Sequence, residues 1–330
     1  MIFQFAVLRG GKFLSGDSMK SAKQKQFIGA LYCISAAAIW GLSFVAQSIG
    51  RGVGTFTFNA LRMFLGSAVL WPVIAFRRKK NISPCFEDKT KAKKDLLLGG
   101  SLAGFALFVG NNLQQEAFNY IEDVGKVGFI TALYMLLVPI FNMIIFKKKA
   151  GVNVWLGVVI GLAGLYLLCS GDGGFSLEKG DIITIIGAFA FASQILIIDR
   201  FSQRTDPVEI SSLQFFVCSI LSGICMFIFE EPTVPLIMQK QNLIPIIYAG
   251  VMSCGVAFTF QTFGQKYTEP AVTSLLLCLE SAFSVIFGWI ILHQALGGKE
   301  LLGCLVMLVA VVLTQIQFPK SKNKQTEVKA

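Results

Sequence analysis

Nearly uncharged apolar runs recur along the chain at about 27–48, 55–76, 96–117, 124–146, 151–170, 181–199, 207–229, 243–264, 270–292 and 298–318. Each is close to the ~20 residues a helix needs to cross a ~30 Å hydrocarbon layer. Lipid admits helices because their backbone polar groups are satisfied within the segment. The pattern predicts an all-α integral membrane protein of ten transmembrane helices. A basic leader (1–26) would precede them and a basic tail (319–330) would follow.

The polar segments between the runs set orientation. With the N-terminus in the cytoplasm, twenty-three Lys and Arg fall in inside segments and four (Arg51, Lys179, Lys240 and Lys299) fall outside. Arg62 and Lys126 lie within spans. Such an excess places both termini in the cytoplasm of a multi-pass cell-membrane protein. Within the leader, Met19 followed by "KSAKQKQ" reads as an ordinary start, so residues 1–18 are expected to be a gene-start extension or a disordered tail.

Composition agrees with this reading. Hydrophobic residues make up 54% of the 330 and charged residues 15%, and the mean hydropathy is +0.67. The net charge of +10 does not point to nucleic acid, because the basic residues flank apolar runs where they meet lipid head groups. The eight cysteines form no CxxC pair and read as small packing residues. No phosphate loop, HExxH or GxSxG occurs, and "GDGG" (171–174) reads as an exterior turn. Neither enzymatic activity nor a cofactor or metal is expected.

An internal repeat carries the first functional inference. A shift of 146 places Gln115 on Gln261, "TALYM" (131–135) on "LCLES" (277–281) and Gly157 on Gly303. A shift of 151 places Gly29 on Gly180, Ala37 on Ala188 and Trp40 on Phe191. Each half, 27–170 and 181–318, then holds five helices, and an odd number inverts the second half relative to the first. Inverted repeats are an architecture of secondary transporters, with substrate near the midplane.

The stretches "AAAIWGLSFVAQ" (36–47), "FTFNALRMFLGSAVLWP" (56–72), "ITALYMLLVPIF" (130–141) and "LLLCLESAFSVIFGWIIL" (275–292) resemble the drug/metabolite transporter superfamily, EamA type. That resemblance implies a ten-helix, two-repeat carrier of small organic solutes, often an exporter, with amino-acid-like metabolites favoured. The family's Leu-Glu-Pro is altered here by Ser281, and "LHQ" (292–294) stands where an acidic version is usual.

The candidate pathway residues are the polar groups set deep in spans. Glu280 lies near the middle of its run, where a charge is costly and by default functional. It shares a helical face with Thr273, Leu277 and Ser284. A proton carrier, a partner for a substrate amine and a structural bond between helices all remain open for it. Arg62, with Asn59 on its face, could bind a substrate carboxylate, pair with Glu280 as an outer gate, or bond helix-end carbonyls. Lys126, shallower, is expected to snorkel to the exterior interface. Tyr134 is the repeat mate of Glu280. Trp40, Gln115, Gln261 and Ser281 complete the set, and Pro139 is expected to bend its helix near Met135. An uncoupled facilitator, a lipid-modifying enzyme and a non-transporting sensor or scaffold are the competing readings. Oligomeric state is left open.

Overall fold

The computed structural model describes residues 16–84, 86, 88–147, 150–169, 178–294 and 297–315. The first fifteen residues of the leader, Cys85, the "GDGG" turn and the tail from 316 lie outside the described residues. Among the described residues there are helices and no strands. The helices are α1 (Gly16–Ile49, closed by a 3₁₀ turn at Gly50–Val53), α2 (Thr55–Lys79), α3 (Lys89–Ala117), α4 (Val124–Thr131), α5 (Tyr134–Phe146) and α6 (Val152–Cys169). There follow α7 (Lys179–Ser202), α8 (Pro207–Phe229), α9 (Val234–Ile237), α10 (Lys240–Tyr248), α11 (Thr259–Gln265), α12 (Pro270–Leu277), α13 (Leu279–Leu292) and α14 (Gly298–Gln315). A π-helical segment, Ala249–Phe258, joins α10 to α11.

Eight stretches among the described residues are long and apolar enough to cross a membrane. The regions of α6 and α14 carry shorter apolar helices, Val152–Gly164 and Leu301–Ala310. α1 starts well ahead of residue 27, so the end of the basic leader is helical.

The burial pattern departs from that of a water-soluble protein: large apolar side chains cover the outside, and charged groups are buried in a core that is otherwise mostly apolar. Phe227 and Val152 are 78% and 77% exposed, while Arg62 and Glu280 are 2% and 5% exposed. Apolar side chains outside and polar ones inside fit a lipid solvent, in which hydrocarbon is the cheap surface.

Two elements predicted as continuous spans are broken in the middle. α4 gives way to α5 at Ala132–Leu133, and α12 to α13 at Cys278. In the first case Pro139 has no N–H to offer the carbonyl of Met135, yet the interruption falls a turn earlier than predicted. There the backbone tightens into three-residue bonds, Leu133 N to Ile130 O and Met135 N to Ala132 O. In the second case hydroxyl and thiol groups do the tightening. Cys278 Sγ donates to Leu275 O at 2.9 Å, Ser281 Oγ to Cys278 O at 2.5 Å and Ser284 Oγ to Ser281 O at 2.8 Å. Back-bonding of this kind competes with the helical ladder and bends helices. Ser281 thus sits at the break and feeds it.

Helices α2 and α8 are joined along their whole length. At one end the Glu230 carboxylate accepts from Phe56 N and Thr57 N, both at 2.8 Å, capping α2 from the end of α8. Gly54 makes this possible: its φ of 97° and missing Cβ leave the space the carboxylate occupies. Midway, Ser67 Oγ donates to Ser212 O at 3.0 Å. At the far end Arg77 pairs with Asp206 at 3.0 Å and Arg78 with Glu209 at 2.9 Å. The first pair is buried, and removing one partner of such a pair typically costs about 3–5 kcal/mol.

Close helix contacts rest on glycine. A Cβ on Gly41 of α1 would lie 2.9 Å from both the Phe283 carbonyl carbon and the Ser284 nitrogen of α13. Gly164 of α6 faces the Gly303 carbonyl of α14 with the same spacing. By contrast, Gly223 on α8 opens onto free space. Gly41→Ala is therefore expected to lower stability by about 1–3 kcal/mol, the usual range for overpacking. Gly223→Ala should be neutral or stabilising by up to about 1 kcal/mol through helix propensity. Thermal unfolding of the two variants in detergent checks the contrast, and equal midpoints would contradict the α1–α13 contact.

Candidate functional site

The breaks put two side chains at the centre of the molecule. Tyr134 is the first residue of α5, and Glu280 lies in the first turn of α13. A carboxylate is favoured at a helix N-terminus, where the backbone N–H groups carry partial positive charge. Both residues line one buried cavity. They stand close enough to interact with each other, yet neither the Tyr134 hydroxyl nor Glu280 Oε1 has a partner at well-aligned hydrogen-bond geometry.

α1 contributes Trp40, Ser43, Phe44 and Gln47 to this cavity, and α7 contributes Phe191, Gln194 and Ile195. Arg62 enters from α2, Asn111 and Gln114 from α3, Gln261 from α11, and Ser253 and Phe258 from the π-helical segment. That segment widens the helical turn, and the carbonyl of Ser253 accepts the Trp40 indole N–H at 3.3 Å. Trp40 also meets Phe258 edge-on, with ring centroids 4.6 Å apart.

The wall is held by amide bonds between helices. Gln261 Nε2 donates to Gln194 Oε1 at 3.0 Å, and Gln194 Nε2 to Gln214 Oε1 at 3.1 Å. Gln114 Nε2 donates to Thr131 Oγ1 at 3.1 Å. Six polar atoms of the lining residues nevertheless lack a protein partner: Ser43 Oγ, Gln47 Oε1, Asn111 Nδ2, Tyr134 Oη, Gln261 Oε1 and Glu280 Oε1. A buried polar group left unmet costs roughly 1–3 kcal/mol. Six around one space make it a polar environment suited to water or a polar solute. The space is slim, about 40 Å³, enough for about three waters.

Five of the eight predicted pathway residues meet at this cavity: Trp40, Arg62, Tyr134, Gln261 and Glu280. The other three stand behind it. Asn59 accepts from Arg62 Nε at 2.7 Å, Gln115 Nε2 donates to the Gln47 carbonyl at 3.1 Å, and Ser281 bonds back along its own helix. Of the polar face expected around Glu280, Leu277 lines the cavity. Thr273 instead bonds Thr268 at 2.6 Å, and Ser284 packs against Gly128.

Two intramembrane cations differ from what the sequence suggested, the first in one of the alternatives left open for it. Arg62 does not form an ion pair with Glu280. Its Nε and Nη2 each donate at 2.7 Å, to Asn59 Oδ1 and Asn111 Oδ1, and its guanidinium lies 5.5 Å from the Phe58 ring centre. Amides on adjacent turns and the neighbouring helix reach it first. Lys126 does not reach for the interface. It pairs at 3.1 Å with Asp181, which is fully buried at the start of α7. Asp181 carries little signal in the sequence because it follows Glu178 and Lys179 in a charged segment between apolar runs. Ser253 and Phe258 carry little because nothing but the flanking Gly250 and Gly255 marks the widened turn.

Comparison with known proteins agrees with this architecture. The EamA-like transporter family matches the chain twice, over residues 27–170 and 178–316. The chain is similar to an "Uncharacterized transporter" of Archaeoglobus fulgidus, 26% identical over 282 residues, covering 85% of this chain and 83% of the relative. It is also similar to "Uncharacterized transporter YoaV" of Bacillus subtilis, 21% identical with 88% and 97% covered. The "WAT1-related protein At4g01440" of Arabidopsis thaliana is 22% identical, with 82% and 80% covered. One solved crystal structure shares the fold with a TM-score of 0.68 at 18% identity, covering 89% of this chain and 96% of that one. A family match in two copies across most of the sequence, on a helical frame with membrane-length apolar spans, makes this chain a member of the EamA-like transporter family, and hence a multi-pass membrane transporter.

Proposed function

We propose that the chain is a secondary transporter of small organic metabolites, amino-acid-like solutes favoured. It works by alternating access between two inverted five-helix repeats, with export as the direction. The observation that carries this reading is the central cavity, with its six unmet polar atoms beside two half-helix ends. Discontinuous helices at the midplane are where transporters of this kind hold substrate and coupling ions. A solute of several heavy atoms exceeds the present space, so the walls must part to admit it.

Element boundaries support ten spans arranged as a repeat. α4 and α12 begin at Val124 and Pro270, α5 and α13 end at Phe146 and Leu292, and α6 and α14 run Val152–Cys169 and Gly298–Gln315. Every pair is 146 apart. The left-handed residues that end α5 and α13, Lys147 and His293, are too. The cavity follows the same rule: Thr131 matches Leu277 and Tyr134 matches Glu280, while Trp40, Ser43 and Phe44 match Phe191, Gln194 and Ile195 at a shift of 151. The Lys and Arg distribution supports cytoplasmic termini in the cell membrane. Glu280 is the proposed proton carrier, since it is the cavity's acidic side chain and lacks an ion pair among the described residues.

Two measurements test this. In liposomes, Glu280→Gln is expected to abolish solute flux driven by a pH gradient while sparing exchange of solute for solute. Full pH-driven flux in that variant refutes the coupling, and counterflow in wild type that ignores every ion gradient favours the facilitator. For topology, single cysteines at Lys25 and Gln239 in a cysteine-free background are expected to differ in intact cells. A membrane-impermeant maleimide should label position 239 and leave position 25 unlabelled; the reverse pattern overturns the orientation.

A further inference from the structure

Arg62 is a permanent cation, 2% exposed, inside the membrane-spanning core. Among the described residues no carboxylate pairs with it. Its two side-chain hydrogen bonds go to neutral amide oxygens, on Asn59 and Asn111. The groups around it are the Phe58 ring and the thiols of Cys218 and Cys254. Glu280 lines the same cavity but is not joined to it. Two of five guanidinium donors are engaged, and a buried charge without a counter-charge is held at high cost.

A second group points the same way. Asn111 is 3% exposed and lines the cavity, and its Nδ2 has no partner. The amide cannot be turned to hide that donor, because Oδ1 faces Arg62 Nη2 at 2.7 Å and a flip would set two donors against each other. Asn111 is itself anchored, its backbone carbonyl accepting from Asn59 Nδ2 at 3.1 Å.

We infer that Arg62 and Asn111 form an anion subsite in the cavity wall, and that its ligand is a carboxylate. This rests on the transporter reading and names the end of the solute that α2 and α3 hold. One positive charge balances a monoanion and leaves a phosphate dianion in excess. A guanidinium edge beside an amide N–H presents donors side by side, which suits the two oxygens of a carboxylate better than a single halide.

Asn111→Asp tests the subsite with little disturbance. The new carboxylate keeps the acceptor that Arg62 uses, replaces an N–H that bonds nothing, and neutralises Arg62 from within. Thermal unfolding of the purified full-length chain, with acetate, glycine or chloride added as probes, reads binding because a ligand held by the folded state raises the midpoint. Sodium sulfate balances ionic strength throughout. Acetate and glycine are expected to give a saturable rise in wild type, and none in Asn111→Asp or Arg62→Gln. Should Arg62→Gln fail to fold, Asn111→Asp decides. An undiminished acetate response in Asn111→Asp overturns the subsite, as does the absence of any acetate or glycine response in wild type. A response to chloride alone overturns the carboxylate assignment. Flux in liposomes is a separate readout: binding without transport would retain the subsite and sink the transporter reading.

Discussion

A polar group inside a hydrocarbon slab has no water to turn to, and every partner it finds must come from the protein or from what the protein carries. Most polar side chains here obey by bonding across helices. The chain from Gln261 through Gln194 to Gln214 ties α11, α7 and α8, and Asn59, Asn111 and Asn112 tie α2 to α3. Of the twelve exceptions among the described residues, six gather around one cavity. Breaking α4–α5 and α12–α13 exposes helix ends at the centre, and the residues just past the breaks, Tyr134 and Glu280, are among the unmet groups. The cavity is thus where departures from the rule of internal satisfaction are most concentrated.

The framework and its charges follow different symmetries. Positions related by the shifts of 146 and 151 line the cavity in matched pairs. The two ionisable groups are unmatched: Glu280 answers to Tyr134, and Arg62, eighth in α2, answers to Gln214, eighth in α8. A duplicated shell therefore encloses an asymmetric interior, with a cation contributed by the first half and an acid by the second. That arrangement gives the cavity a direction that the backbone alone lacks.

Much of the helical layout was legible in the sequence, because apolar runs of membrane length leave little freedom in where helices lie. The equivalence of Tyr134 and Glu280 was legible too, through the 146-residue shift. Pairings between helices were not. Nothing local shows that Arg62 meets Asn111 or that Lys126 meets Asp181, since each contact depends on which spans pack side by side. The site of the helix breaks was hidden for another reason. Pro139 pointed to the right helix, but the tightening at Ala132–Leu133 is a local choice of backbone bonding and the back-bonding of Cys278, Ser281 and Ser284 a choice of side-chain rotamer, and composition reveals neither.

Helices α2 and α8 are fastened at both ends and in the middle. A pair fastened at three points resists splaying, and in the alternating access proposed above it would serve as an axle. Arg62 rides on that axle, whereas Glu280 sits on α13, which touches α1 through the bare backbone at Gly41. In that alternating access, an opening of the cavity about the pair would change the separation between Arg62 and Glu280. The distance between those two groups is the natural coordinate along which this molecule's working cycle would be measured.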